Sequence, residues 1–187
     1  MSTTLCAQRK NRPLKVIGWL VLSLCMALHA LVAGEPSARA AGLVYQIPCA
    51  TTTPSLLADA IKNANLAPGA DTINLQPNVN GNPCIIPLIG AAGDYGNGLT
   101  GLPLISEALT IQGNGAIIQR HFGASAFRIF EANAPLTLLN LTIANGLSSG
   151  GGGIYSSDGL ALIGVTLRDN VATGNGAHLG GAGYQSK

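Results

Sequence analysis

The chain has 187 residues, of which 25 are glycine, 10% are charged and 4% are aromatic. So few charged residues argue against a disordered chain and against a nucleic-acid-binding protein, because both depend on a high density of like charge. The formal net charge of +2 is misleading, since basic residues cluster at the start of the chain.

The first 40 residues have the three parts of a secretory signal. A basic segment is followed by the apolar run at residues 16–34 and by the small-x-small site Ala38-Arg39-Ala40. We predict a signal peptide at residues 1–40, cleaved before Ala41, and a secreted or cell-surface location. An uncleaved membrane anchor is the alternative, because a span needs about 20 apolar residues. His29 inside the run disfavours the anchor, so no membrane span is expected after cleavage.

Removal of residues 1–40 changes the charge and the cysteine content. Five basic residues then remain against seven acidic ones, which gives a formal charge of −2. The remaining cysteines, Cys49 and Cys84, are expected to form a disulfide, because pairing is the default in an oxidising compartment. Two cysteines without a nearby histidine do not indicate a metal site, and no cofactor is expected.

Residues 41–101 are predicted to form an amino-terminal cap. A short amphipathic helix is predicted over residues 55–66, with a Pro-Ser entry and a Pro-Gly pair beyond its end. Its apolar positions are Leu57, Ala60, Ile61 and Ala64. The alternating segment at residues 71–75 predicts the first strand, with Ile73 and Leu75 facing the same way.

From residue 102 onward, short apolar segments recur with a period of 24 residues. The segment LTLLNLTIANG at 136–146 aligns with LALIGVTLRDN at 160–170. The aligned apolar pairs are Leu136 with Leu160, Leu138 with Leu162, Leu141 with Val165, and Ile143 with Leu167. These eight residues are predicted to stack as a core, and Thr142 aligns with Thr166 beside them.

Glycines recur with the same repeat. GGGIY at 151–155 returns as GGAGY at 180–184, beyond an inserted loop. The predicted corner glycines are Gly150, Gly151, Gly152, Gly153, Gly180 and Gly181. Corners need a positive φ or a close approach of neighbouring backbones, which glycine allows and which Asn145 and Asp169 can partly imitate.

A repeat of about 24 residues with three short strands is typical of a right-handed parallel β-helix. We therefore predict an all-β solenoid, with about three coils in residues 102–187 after the helical cap. An antiparallel sandwich is the alternative, but its hairpins would not require equivalent apolar residues at one long offset. The carboxyl-terminal end is expected to expose an apolar face, prone to fraying or to end-to-end self-association.

The segment SLLADAIKNANLAPGADTINL at 55–75 resembles the amino-terminal segment of secreted bacterial β-helix proteins of the CSLREA type. Pro54 stands where the motif's cysteine is expected, and residues 57–59 are one residue longer than its Arg-Glu. The repeats are similar to glycine-rich repeats of polymorphic outer-membrane-type and pectate-lyase-like proteins. The resemblance covers about residues 44–187 and implies a capped β-helix in a truncated member. It selects no activity, because such solenoids serve adhesion, display and polysaccharide cleavage.

The sequence predicts no catalytic residues. A β-helix lyase needs carboxylates that hold calcium beside a base, and a hydrolase needs paired aspartates, whereas the acidic residues here are single and scattered. Two pairs come closest to a catalytic cluster, namely Arg168-Asp169 and Arg120-His121. Both are expected to be surface pairs without a catalytic role. His178 is expected to be exposed in the inserted loop.

The leading hypothesis is a non-enzymatic, exported structural or binding solenoid. Its outward faces, including the Thr142/Thr166 ladder, and its inserted loop would contact a glycan or another surface protein. The alternative is a polysaccharide lyase or glycoside hydrolase whose catalytic coils lie in sequence after Lys187.

Overall fold

The computed structural model describes residues 41–174 and the backbone of residues 183–185. The predicted signal peptide, Gly180, Gly181 and His178 lie outside the described residues. Within the described part, no helix is long and apolar enough to cross a membrane.

The described residues form one α-helix, one short 3-10 helix at Cys49–Thr51 and fourteen β-strands. The helix is α1 (Pro54–Ala64). The strands, in chain order, are β1 (Val44–Pro48), β2 (Asp71–Gln76), β3 (Ile85–Leu88), β4 (Gly93–Asp94), β5 (Leu99–Thr100), β6 (Leu109–Arg120), β7 (Phe130–Ala132), β8 (Leu136–Ala144), β9 (Leu147–Ser148), β10 (Ile154–Ser156), β11 (Leu160–Ile163), β12 (Thr166–Arg168), β13 (Val171–Ala172) and β14 (Gly183–Gln185).

The fold is mostly β and is organised around one large parallel sheet. Its seven strands follow the order β1-β2-β6-β8-β11, with β12 also paired to β8 and β3 paired to β6. Two smaller parallel sheets contain β14-β10-β7 and β13-β9, and β4 and β5 form an antiparallel hairpin. Parallel neighbours require a crossover connection, so the chain crosses back before it forms the next neighbouring strand, as between β6 and β8.

The predicted 24-residue offset is the register of the last strand pairs in the large sheet. Residues lie opposite each other in the pairs Leu136 with Leu160, Leu138 with Leu162, Thr142 with Thr166, and Ile143 with Leu167. The preceding step is longer, since Leu109 lies opposite Leu136. Two of the three extra residues are absorbed where the register between β6 and β8 shifts between Gln112 and Ala116.

The interior is lined by aliphatic side chains that alternate along the strands. Of the eight predicted stacking residues, four are buried: Leu136, Leu138, Leu141 and Ile143. Leu160, Val165 and Leu167 are partly buried against this core. Leu162 is 39% exposed and so is not the core residue that the repeat predicts, because β11 is the edge strand of the described sheet.

Helix α1 covers the amino-terminal strands. It begins at Pro54, where the Thr53 side chain accepts a hydrogen bond from the Leu56 amide at 3.2 Å, as an N-cap residue does. It ends at Ala64, two residues earlier than predicted, and its four predicted apolar positions are the buried ones. The helical spacing of the apolar residues therefore predicted the buried face of α1 correctly.

The strand predicted as the first is the second. β1 precedes α1 and pairs in parallel with β2, with Tyr45 opposite Ile73. β1 was not predicted, and only Ile47 of its five residues is buried. Main-chain pairing with β2 holds this strand, and Tyr45 and Ile47 pack against the hydrophobic core.

The predicted disulfide is formed. Cys49 and Cys84 are bonded, with Cα atoms 5.5 Å apart and a sequence separation of 35. The bond joins the segment after β1 to the residue before β3, and so cross-links two parts of the predicted cap.

Candidate ligand-binding site

Three strands end together at one edge of the large sheet. Ala144 lies opposite Gln119 in β6 and opposite Arg168 in β12, so the next residues, Arg120, Asn145 and Asp169, follow at the same edge. Asn145 and Asp169 have φ values of 62° and 53°, a left-handed conformation that these residue types tolerate. The chain therefore turns away from the sheet at equivalent positions in successive strands.

Hydrogen bonds hold this edge together. Arg120 donates from Nε to the Asn145 carbonyl and from Nη1 to the Ala124 carbonyl, both at 2.7 Å. The side chain of Asn170 accepts from the Gly146 amide at 2.9 Å and donates to the Ile143 carbonyl at 2.9 Å. Arg120 is thus half-buried and bonded to backbone, not the simple surface residue that its loop position predicts.

A pocket opens beside these residues. Its cavity volume is about 170 Å³, and it is lined by Arg120, Phe122, Asn145, Gly146, Leu147, Asp169 and Val171. Ligand pockets in proteins are commonly about 300–1,000 Å³, so this one would hold a single ring or a small group. Phe122 is almost completely exposed, at 98%.

The pocket is lined by one member of each of two pairs that the sequence singled out separately, namely Arg120 and Asp169. Arg120 is the last residue of β6, and Asp169 directly follows β12. The Nε atom of Arg168 lies 3.5 Å from Oδ2 of Asp169, and both side chains are mostly exposed. The pocket lining therefore combines an aromatic ring, one guanidinium group and one carboxylate, and the guanidinium of Arg168 lies beside that carboxylate.

The predicted threonine ladder lies on the same sheet. Thr142 is opposite Thr166, and Thr142 is half-buried while Thr166 is exposed. The register continues on the other side of Thr142 to Ile117, so the threonine row is two residues long here.

The corner glycines differ in what they require. Gly151 has a φ of +56°, and a Cβ on Gly152 would overlap the backbone of Val171, next to the pocket. Gly150 was predicted to be a corner position that needs glycine. A Cβ there would meet nothing within 4 Å, so space alone does not require glycine at this position. The carbonyl of Gly153 accepts hydrogen bonds from the amides of Ile129 and Phe130.

A second polar cluster is buried beneath the β4–β5 hairpin. Arg128 and Glu131 are completely inaccessible, with Nε and Oε2 3.8 Å apart. Glu131 accepts hydrogen bonds from Thr100 Oγ1 at 2.8 Å and from Asn97 Nδ2 at 2.9 Å. Arg128 Nη2 donates to the Asn97 carbonyl and, at 3.1 Å, to Ser148 Oγ.

Burial governs the electrostatics of this cluster. Desolvation lowers the pKa of Arg128, and the neighbouring charge of Glu131 opposes that effect. The Cζ atom of Arg128 also lies 5.0 Å from the centroid of the Tyr155 ring, within cation–π range. Nε and Nη1 are buried without a hydrogen-bond partner among the described residues, and the cluster offers a ligand no access.

This cluster was not predicted from the sequence. A signal was present, because Arg128 and Glu131 interrupt the apolar segment FRIFEA, and buried charges are almost always paired. Sequence spacing alone does not show that a hairpin 30 residues earlier folds over them.

No metal centre is found in residues 41–174. There, no group of three or more histidine, cysteine, aspartate or glutamate side chains is placed to hold an ion. The groups that line the pocket are aromatic, amide and charged.

Comparisons with known proteins supply no family. No family model, no curated protein and no solved structure matches the chain. The resemblance to CSLREA-type proteins therefore stays a prediction, and the pocket itself is the basis for a function.

Proposed function

We propose that the protein is an exported, right-handed parallel β-helix that binds a glycan through the pocket beside Arg120, Phe122 and Asp169. Export is supported by the signal-like residues 1–40 and is compatible with the Cys49–Cys84 disulfide. Disulfides persist mainly in oxidising compartments.

The pairing pattern supports the β-helix. Three successive segments, β7, β8 and β9, pair in parallel with β10, with β11 and β12, and with β13, in the same order along the chain. In a coiled chain, each segment of one turn meets its equivalent in the next turn. Helix α1 then acts as the amino-terminal cap, as in the CSLREA-type proteins that residues 55–75 resemble.

The chemistry of the pocket supports a sugar ligand. A sugar ring has apolar C–H surfaces and a rim of hydroxyl groups. Phe122 presents an exposed aromatic ring, and Arg120, Asn145 and Asp169 supply donors and acceptors around the same cavity. Small-molecule sites combine apolar surface with a few polar groups that fix orientation, and this combination at one pocket carries the proposal.

Catalysis is not part of the proposal. A glycosidase flanks the scissile bond with two carboxyl groups, and Asp169 is the one carboxylate among the residues that line the described pocket. A binding role needs no second carboxylate.

The test is a glycan array, followed by calorimetric titration of the strongest binder. Phe122→Ala is expected to weaken binding about tenfold, because stacking on an aromatic ring contributes about 1 kcal/mol or more. Val79→Ala is the matched control, since Val79 is fully exposed and does not line the pocket. An array without binders, or equal affinity of Phe122→Ala and the parent protein, would refute the proposal.

A further inference from the structure

Charge is unevenly distributed over the described residues. Residues 41–174 contain four basic and seven acidic residues, a formal charge of −3. Of the four cations, Arg120 lines the pocket together with a single carboxylate, Asp169. Arg168 does not line the pocket but lies beside it, ion-paired to Asp169. The pocket region therefore has a formal charge of +1, and all other described residues together have −4.

The remaining cations do not offset the acidic surface. Lys62 is paired with Asp59 at 3.1 Å on helix α1, and Arg128 is buried beside Glu131. Three further acidic residues are exposed, namely Asp94, Glu107 and Asp158. An anion approaching the protein is consequently repelled by most of the surface and attracted to the pocket.

The arginines at the pocket retain binding capacity. Arg120 uses Nε and Nη1 for backbone carbonyls, and in the described part of the chain its Nη2 donates no hydrogen bond. Two backbone contacts hold this guanidinium in place, which lowers the entropic cost of binding. Arg168 is 55% exposed, and its ion pair with Asp169 is long, at 3.5 Å.

We propose that the glycan is acidic: a sugar bearing a carboxylate or a sulfate group pairs with Arg120 and Arg168 while its ring lies on Phe122. This inference rests on the proposed function and specifies its ligand. Guanidinium groups recognise both kinds of anion through charge-assisted hydrogen bonds, so the shared chemistry is an anionic substituent on a sugar ring.

The test compares sugars that differ only in charge. Oligosaccharides of glucose, galactose and mannose are titrated calorimetrically beside the same oligosaccharides with C6 oxidised to a carboxylate or sulfated. We expect an acidic member to bind about fivefold or more tightly than its neutral counterpart. The advantage should shrink as salt is raised, because exposed charges are screened, while neutral binding stays constant.

Two variants separate charge from stacking. Arg168→Gln should reduce the preference for an acidic over a neutral sugar about threefold to fivefold, because it removes one of the two cations that face the anion. Asp169→Asn should strengthen acidic-sugar binding by removing a like charge. Asparagine suits this position, because Asn145 adopts the same left-handed backbone at the equivalent place. Thermal unfolding of both variants checks that they remain folded.

The outcomes are distinct. Equal binding of neutral and acidic sugars, insensitive to salt and to Arg168→Gln, overturns the acidic preference and leaves the proposed function standing. Binding of no sugar at all overturns both. If inorganic sulfate competes for the pocket as strongly as a sulfated sugar does, the pocket is a simple anion site. That result would overturn the inference that the ligand is a sugar. If only the carboxylated or only the sulfated member gains affinity, the inference holds and the anion is identified.

Discussion

Leu138 and Leu162 lie opposite each other in adjacent parallel strands, although 24 residues separate them in sequence. Their surroundings differ: Leu138 is completely buried, whereas Leu162 is 39% exposed. A strand lies on each side of β8, but β11 is the edge of the described sheet. Two leucines at equivalent positions of the repeat therefore contribute unequally to stability.

Alanine substitution should reveal this difference. Leu138→Ala is expected to lower the free energy of unfolding by about 2–5 kcal/mol, because it leaves a cavity between packed strands. Leu162→Ala should cost less than about 1.5 kcal/mol, since part of that side chain is already in water. Urea unfolding of both variants measures the difference. Equal losses would mean that Leu162 is covered in solution.

The glycine run offers a second matched pair. A Cβ on Gly152 would overlap the backbone of Val171, whereas a Cβ on Gly150 would meet nothing within 4 Å. Gly152→Ala should therefore destabilise the protein by about 2 kcal/mol or more, since β13 would have to move. Gly150→Ala should change stability by less than about 1 kcal/mol. Chemical denaturation tests both, and a neutral Gly152→Ala would show that β13 adjusts without cost.

Local and periodic features of the fold were predictable from the sequence. The helix follows from apolar residues at helical spacing, and the offset between Leu138 and Leu162 follows from the repeat. β1 was missed because its five residues, VYQIP, include a proline, which argues against a strand. Burial was misjudged at Leu162, because a repeat pattern does not show which strand lies at the edge.

The candidate site was only partly predictable. Arg120 and Asp169 were noticed as members of separate pairs, and only the pairing of β6 with β8 and of β8 with β12 brings them to one edge. Phe122 was not singled out, because one aromatic residue in a loop belongs to no periodic pattern. The site depends on the register between strands that are distant in sequence, and local sequence patterns do not show that register.

The disulfide gives a third prediction. Cys49 and Cys84 close a loop with a separation of 35 residues, so replacing both by serine should cost about 4 kcal/mol on the loop-entropy model. Urea unfolding with and without reductant measures the loss. The parent protein should lose a similar amount in reductant, and the double serine variant should show no further change. A stable reduced protein would show that strand pairing and helix packing hold the cap without the disulfide.

The fourth prediction concerns Arg128 and Glu131, whose side chains are fully buried and 3.8 Å apart. Arg128→Met should lower the free energy of unfolding by about 3–5 kcal/mol, because it leaves an uncompensated charge in the interior. Glu131→Gln should lower the free energy of unfolding by a similar amount, because it leaves the charge of Arg128 uncompensated. The double variant should lose less than the sum of the two, by about 1 kcal/mol or more, because the groups interact directly.

The exposed pair Lys62 and Asp59, 3.1 Å apart on α1, is the control for the buried one. Replacing Lys62 by Ala should change stability by less than about 1 kcal/mol, since water screens exposed charges.

Hydrogen exchange adds a local measurement for the buried pair. The Asn97 side chain and carbonyl bond to Glu131 and Arg128, so the amides of the β4–β5 hairpin should exchange faster in both buried-pair variants. If exchange in the hairpin stays at the parent rate while global stability falls, the pair stabilises the sheet but does not hold the hairpin.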